Sequence, residues 1–126
     1  MPARYTLKIM TDFAAAHSLR QYPGDCAKLH GHNWKVEAEV TATALNEVGI
    51  GMDFKQIRQA TKAICERLDH TYLNELSPFD EINPTAENIA AYIYHQLAEH
   101  LNTDTAQVSA ITIWETERAS VRYTEE

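Results

Sequence analysis

The sequence predicts an α+β fold, with two helices laid on one face of an antiparallel sheet. Two early segments alternate apolar and polar residues, two central segments repeat apolar residues at helical spacing, and two late segments return to alternation. The order strand, strand, helix, helix, strand, strand segregates the helices to one side of such a sheet.

The first strand is read from YTLKIMTDF, where Tyr5, Leu7 and Ile9 oppose Thr6 and Lys8. The second is clearer: Trp34, Val36, Ala38 and Val40 oppose Lys35, Glu37, Glu39 and Thr41. The period then changes. Phe54, Ile57, Thr61, Ile64, Cys65 and Leu68 form one helical stripe, with Asp53 and Gln56 spaced as a capping box. A second stripe runs through Ala86, Ile89, Ala90, Ile93, Leu97 and Leu101. Asn83 could cap it with Pro84 at the first helical position, and Thr85 is the alternative cap. Ile111 and Ile113, then Val121 and Tyr123, mark two closing strands joined by a turn at TERA.

The chain has 126 residues, expected to form a single domain over 1–126. Acidic residues outnumber basic ones, 18 to 11, giving a net charge of -7, which argues against a nucleic-acid partner. No apolar run is long enough for a transmembrane helix, and the N-terminus lacks the apolar core of a secretory signal. Its two cysteines, Cys26 and Cys65, sit in different settings. A cytoplasmic location with free thiols is expected. The opposite sheet face carries Lys8, Lys35, Glu37, Glu39 and Arg122, and a lone four-stranded sheet leaves two edges to cover. An oligomer that closes several sheets into a barrel would cover them.

The chemistry concentrates in CAKLHGHNW. His30 and His32 are two apart at a strand start, so both imidazoles point to one side. His17 follows the first strand, and a hairpin would bring it to them. Three imidazoles with an open fourth position suit catalytic zinc; Cys26 as a fourth ligand would instead make a closed structural site. His95 and His100 flank the second helical stripe and are expected at the surface. Cys26 lies in a polar turn beside Lys28, a setting that favours thiolate and a role as base, whereas Cys65 falls on an apolar stripe and is expected to be inert. Asp69 ends the first helix, where the dipole disfavours an anion by roughly 0.3–1 kcal/mol. That misfit, and its neighbour His70, suggest an acid–base pair. Glu115 extends the apolar face of Ile111 and Ile113 and could accept two parallel N–H bonds from a guanidine-like ligand edge.

Together the Cys-x3-His-Gly-His segment, FAAAH, LDHTYLN, NPTAEN and WET resemble the 6-pyruvoyltetrahydropterin synthase family over nearly the whole chain. The short cysteine spacing and compact length look most like its bacterial 6-carboxy-5,6,7,8-tetrahydropterin synthase branch, which feeds queuosine and other 7-deazapurine pathways. The resemblance implies a tunnelling fold in which trimers close a β-barrel and stack as a homohexamer, with active sites between subunits. It implies zinc on His17, His30 and His32, a catalytic Cys26, a proton relay of Asp69 and His70, and Glu115 as the pterin anchor. Lys28 is the candidate for gripping the triphosphate of 7,8-dihydroneopterin triphosphate, the implied substrate. In this branch the side chain is cleaved with release of acetaldehyde; in the other, triphosphate leaves without carbon–carbon cleavage. A non-catalytic metal- or pterin-binding protein on the same fold is the remaining alternative.

Overall fold

A computed structural model describes residues 2–24 and 27–126. Strand β1 (Tyr5–His17) pairs antiparallel with β2 (His30–Ala42) from Tyr5 opposite Ala42 to His17 opposite His30. Helix α1 (Phe54–Leu68) follows, then a short β3 (Thr71–Tyr72), a 3-10 turn at Leu73–Glu75, α2 (Ala86–Leu101), β4 (Ala106–Thr116) and β5 (Ala119–Tyr123). The sheet order is β3-β1-β2-β4-β5. It is antiparallel except where β3 runs parallel to Ala15 and Ala16 of β1. Within one chain the sheet is open, with β3 and β5 at its edges.

The alternation read in the sequence decides which face is buried. Ile9, Phe13, Trp34, Val36, Ala38, Ile111 and Ile113 face the helices and are buried. Ile57, Ile64 and Leu68 of α1 and Ile89, Ile93 and Leu97 of α2 meet them, each burial contributing roughly 1.5–3 kcal/mol. Thr61 is buried on the α1 stripe because its hydroxyl donates to the Ile57 carbonyl at 2.7 Å. Phe54, placed on the same stripe by its spacing, is half exposed at the first turn. Near its start β4 carries a bulge: Glu39 faces Ala110 while Val40 faces Val108, leaving Ser109 extra. The bulge turns Ala106 and Val108 onto the core face despite their even numbering.

Three local expectations change. β1 continues through FAAAH, so His17 is its last residue rather than the start of a loop. Thr85, not Asn83, caps α2, accepting from the Asn88 amide at 3.1 Å. Asn83 is instead used as a side-chain partner for the backbone at Arg20. The additional strand β3 and the start of the 3-10 turn lie in LDHTYLN, a stretch too short to show any period. On the other face, Glu39 is nearly fully buried because Arg122 holds it through two bonds of 2.9 and 3.2 Å. The Arg122 guanidinium keeps the Glu39 carboxyl below its usual range.

Candidate metal centre and its surroundings

The antiparallel register sets His17 directly across from His30, and the pleat puts His32 on the same side. Their ring centroids lie 4.5, 4.8 and 5.3 Å apart. One ligand atom from each lies within 4.8 Å of the others. Below them sits Trp34, fully buried, its ring 4.9 Å from His17 and 5.1 Å from His32. The Trp34 indole N–H donates to the Ala15 carbonyl at 3.2 Å, and Phe13 stacks against the ring. This aromatic floor was not singled out in the sequence, where Trp34 reads only as a core residue.

Hydrogen bonding fixes the tautomers. His17 Nδ1 lies 2.7 Å from the Pro84 carbonyl, and His30 Nδ1 lies 2.7 Å from the Lys28 carbonyl. A carbonyl can only accept, so both rings carry their proton on Nδ1. Their Nε2 lone pairs then face each other at 3.0 Å. Burial holds His17 and His32 below the ordinary histidine range, which favours their neutral forms. His32 Nε2 is itself buried with no hydrogen-bond partner. Converging lone pairs without a donor are a cation site. The spacing is near the ligand–ligand edge of about 3.3 Å in a tetrahedron with 2.0–2.1 Å metal–nitrogen bonds. Donation of the second ring nitrogen to a carbonyl is the usual support for a metal-binding imidazole. The residues present therefore fit a metal ion.

Glu115 joins this group. Its Oε1 lies 3.6 Å from His17 Nε2 and 3.7 Å from His32 Nε2. The β4–β5 pairing slips between Trp114 and Thr116, so Glu115 is an unpaired bulge residue turned toward the histidines. A cavity of about 330 Å3 opens beside it, lined by His17, Leu19, Tyr22, Thr85 and Ser120 among others.

Asp69 and His70 stand at the other edge of β1. Asp69 Oδ1 accepts from the Ala14 amide at 2.8 Å, while Oδ2 lies 2.9 Å from His70 Nδ1. The Ala14 amide, with His70 second, holds the Asp69 carboxyl below its usual range. An ionised carboxylate accepts only, so the His70 proton sits on Nδ1 and Nε2 is left toward solvent. His70 has a left-handed backbone, φ 57, and its side chain is 82% exposed. His70 and His32 line one cavity of about 490 Å3. Asp69, His17 and His30 do not line it, so the pair and the cluster meet only through His70 and His32.

Cys26 lies outside the described residues. Lys28 is exposed, and its carbonyl serves His30. Cys65 is buried, and burial pushes its thiol up to about 12, so it is inert. His95 is exposed and pairs with Glu125; His100 is exposed on α2.

The model of the 6-pyruvoyl tetrahydropterin synthase family matches residues 6–126. The chain belongs to that family. A protein of Archaeoglobus fulgidus provisionally named 6-carboxy-5,6,7,8-tetrahydropterin synthase is 40% identical over 101 residues, covering 79% of this chain and 81% of that one. The dihydroneopterin monophosphate aldolase of Pyrococcus furiosus is 30% identical, covering 82% of each chain. Among solved structures, the 6-pyruvoyl tetrahydropterin synthase of Caenorhabditis elegans superposes with a TM-score of 0.88 at 21% identity, over 98% of this chain and 97% of that one. The family fold is therefore present in full, with the two helices on one sheet face as expected. Among the described residues, no helix is long and apolar enough to cross a membrane.

Proposed function

We infer that this chain is a zinc-dependent 6-carboxy-5,6,7,8-tetrahydropterin synthase. It would convert 7,8-dihydroneopterin triphosphate and water to 6-carboxytetrahydropterin, acetaldehyde and triphosphate, as a carbon–carbon lyase in queuosine and 7-deazapurine synthesis. The observation that carries this reading is the convergence of three imidazole nitrogens beside one carboxylate, with His70 and His32 lining one pocket.

His17, His30 and His32 would hold the zinc, which supplies Lewis acidity to the substrate's side-chain hydroxyls. Glu115 would accept two N–H bonds from the guanidine-like pterin edge and fix the ring in the recess beside His17. Cys26, as thiolate, would take the carbon-bound proton next to the ring. His70 would exchange protons from the opposite side, with Asp69 fixing its tautomer. Lys28 is proposed to bind the triphosphate. The protein would act in the cytoplasm as a homohexamer, a dimer of trimers, whose barrels use the sheet edges left open in one chain.

Two similar relatives bear different reaction names, so overall identity does not choose the side-chain chemistry. Incubation of the zinc-loaded protein with 7,8-dihydroneopterin triphosphate tests it. Mass spectrometry should show 6-carboxytetrahydropterin, and trapped acetaldehyde should match it in amount. 6-Pyruvoyltetrahydropterin alone, without acetaldehyde, would select the elimination reaction instead.

A further inference from the structure

We propose that Asn74 and Asn83 are positioning residues that set the metal-binding geometry of His17. The proposal rests on the reading of the three-histidine cluster as a metal site.

β1 ends at His17, but its edge does not end there. Ser18 and Arg20 lie two apart, so in extended chain their N–H and C=O groups face one edge. Each is met by one carboxamide. Asn74 Oδ1 accepts from the Ser18 amide at 2.9 Å while its Nδ2 donates to the Ser18 carbonyl at 2.8 Å. Asn83 does the same at Arg20, with distances of 2.8 and 3.0 Å. A carboxamide offers one acceptor and one donor side by side, which is what a neighbouring strand would offer. The two asparagines thus extend the β1 edge by two pairings after β3 stops at Tyr72.

Connectivity turns this edge into a positioning device. Asn83 is followed by Pro84, whose carbonyl receives His17 Nδ1–H. Consecutive residues therefore grip Arg20 by side chain and His17 by backbone. The Asn83 carbonyl is in turn tied by Asn88 Nδ2 at 2.8 Å, which anchors the grip to the first turn of α2. Arg20 reaches back over the same segment, donating to the Phe79 carbonyl at 2.7 Å and to the Asn74 carbonyl at 3.2 Å. Ser18 Oγ and Tyr72 Oη are 2.9 Å apart. His17 sits between these fixed points, so its Nε2 has little freedom to move.

Removing a support of this kind should weaken metal binding by about 10–100-fold while leaving the three ligands in place. The test compares Asn74→Ala, Asn83→Ala and the milder Asn83→Asp with wild type. Asp keeps the acceptor for the Arg20 amide but loses the donor and sets a charge against the Arg20 carbonyl. Ile93→Val, buried in α2 away from the cluster, serves as a control of comparable stability loss. Zinc affinity is measured by competition with a chromophoric chelator, and the visible spectrum of the cobalt-loaded protein reports ligand geometry. The asparagine variants should lose affinity by that factor and show altered cobalt bands; Ile93→Val at similar melting temperature should show neither change. Wild-type affinity and spectrum in Asn83→Asp, with equal values in whichever alanine variants fold, would overturn the proposal alone. Wild-type protein that takes up neither ion would overturn the metal reading and the proposal with it.

Discussion

The histidine cluster and the Asp69–His70 pair lie on opposite edges of the same stretch of β1, and they are built in opposite ways. In the cluster, two backbone carbonyls take the Nδ1 protons of His17 and His30, and burial lowers His17 below the ordinary histidine range. Lone pairs are left without donors. At His70 a carboxylate takes Nδ1, the ring stands in solvent, and the backbone is left-handed. The first arrangement suits a cation and resists protons. The second gives a proton a defined nitrogen and an open route. On the proposed reading, one strand separates metal binding from proton transfer, and removing one side should leave the other intact.

The largest effect should follow from the cluster. His32 Nε2 has no partner to lose, so His32→Ala should cost little in hydrogen bonding yet remove one of three ligands. Zinc content, measured by atomic absorption, should fall from about one per chain to near zero with loss of turnover, whereas Asp69 and His70 variants keep their metal. Full zinc occupancy in His32→Ala would erase the distinction between the two groups.

Next is the pair. Asp69→Asn preserves an acceptor for the Ala14 amide, so the strand edge survives. The new amide can donate toward His70 Nδ1, which then loses its proton to Nε2. Turnover should drop about 10²–10⁴-fold, the usual weight of a general acid–base group. Zinc content and cobalt spectrum should not move. A parallel loss of metal would mean that the two sides are one structural unit.

Much of this was legible before any coordinates. Alternation put His30 and His32 on one side and Glu115 on the face of Ile111 and Ile113, because a two-residue period is imposed by the pleat and survives as long as no bulge intervenes. β4 carries two bulges, one at Ser109 upstream of Ile111 and one at Glu115 itself against β5, and Glu115 still ends 3.6 Å from His17. Asp69, a misfit at a helix end, is found with its carboxylate holding the Ala14 amide and His70. What stayed hidden depends on contacts distant in sequence. Asn83 looks like a helix cap because capping is local, while its partner Arg20 is 63 positions away. Trp34 looks like core because its period is that of core. β3 holds two residues, fewer than any periodicity needs.

A smaller effect concerns pH. Burial first, then the neighbouring imidazoles, lowers His17 below the ordinary histidine value; burial lowers His32 as well. Between the folded values and the unfolded value of about 6.5, the unfolded chain binds more protons than the folded one. Stability of the metal-free protein should therefore be constant above that value and fall as pH drops through it toward the folded values. Urea unfolding of metal-free protein across this range measures it, and His32→Ala should flatten the slope. A slope unchanged in that variant would show that the cluster rings are not held neutral by the fold.

The smallest effect separates the two sides most finely. A left-handed backbone costs a residue with a side chain about 1–2 kcal/mol, while glycine adopts it freely but gives up about 0.5–1 kcal/mol of chain entropy on folding. His70→Gly also removes an exposed imidazole–carboxylate contact, which solvent screens. For the backbone the balance lies between no change and a gain of about 1.5 kcal/mol in folding stability. Turnover should nonetheless fall as far as in Asp69→Asn, because the proton carrier is gone. The same change at His30 should lower stability, since that residue sits in an extended strand where glycine has only the entropic penalty. Urea midpoints for the two variants, read beside zinc content and turnover, compare the sides directly. If His70→Gly is destabilised as much as His30→Gly, the left-handed turn is held for the fold rather than for the proton, and the separation of roles along β1 fails.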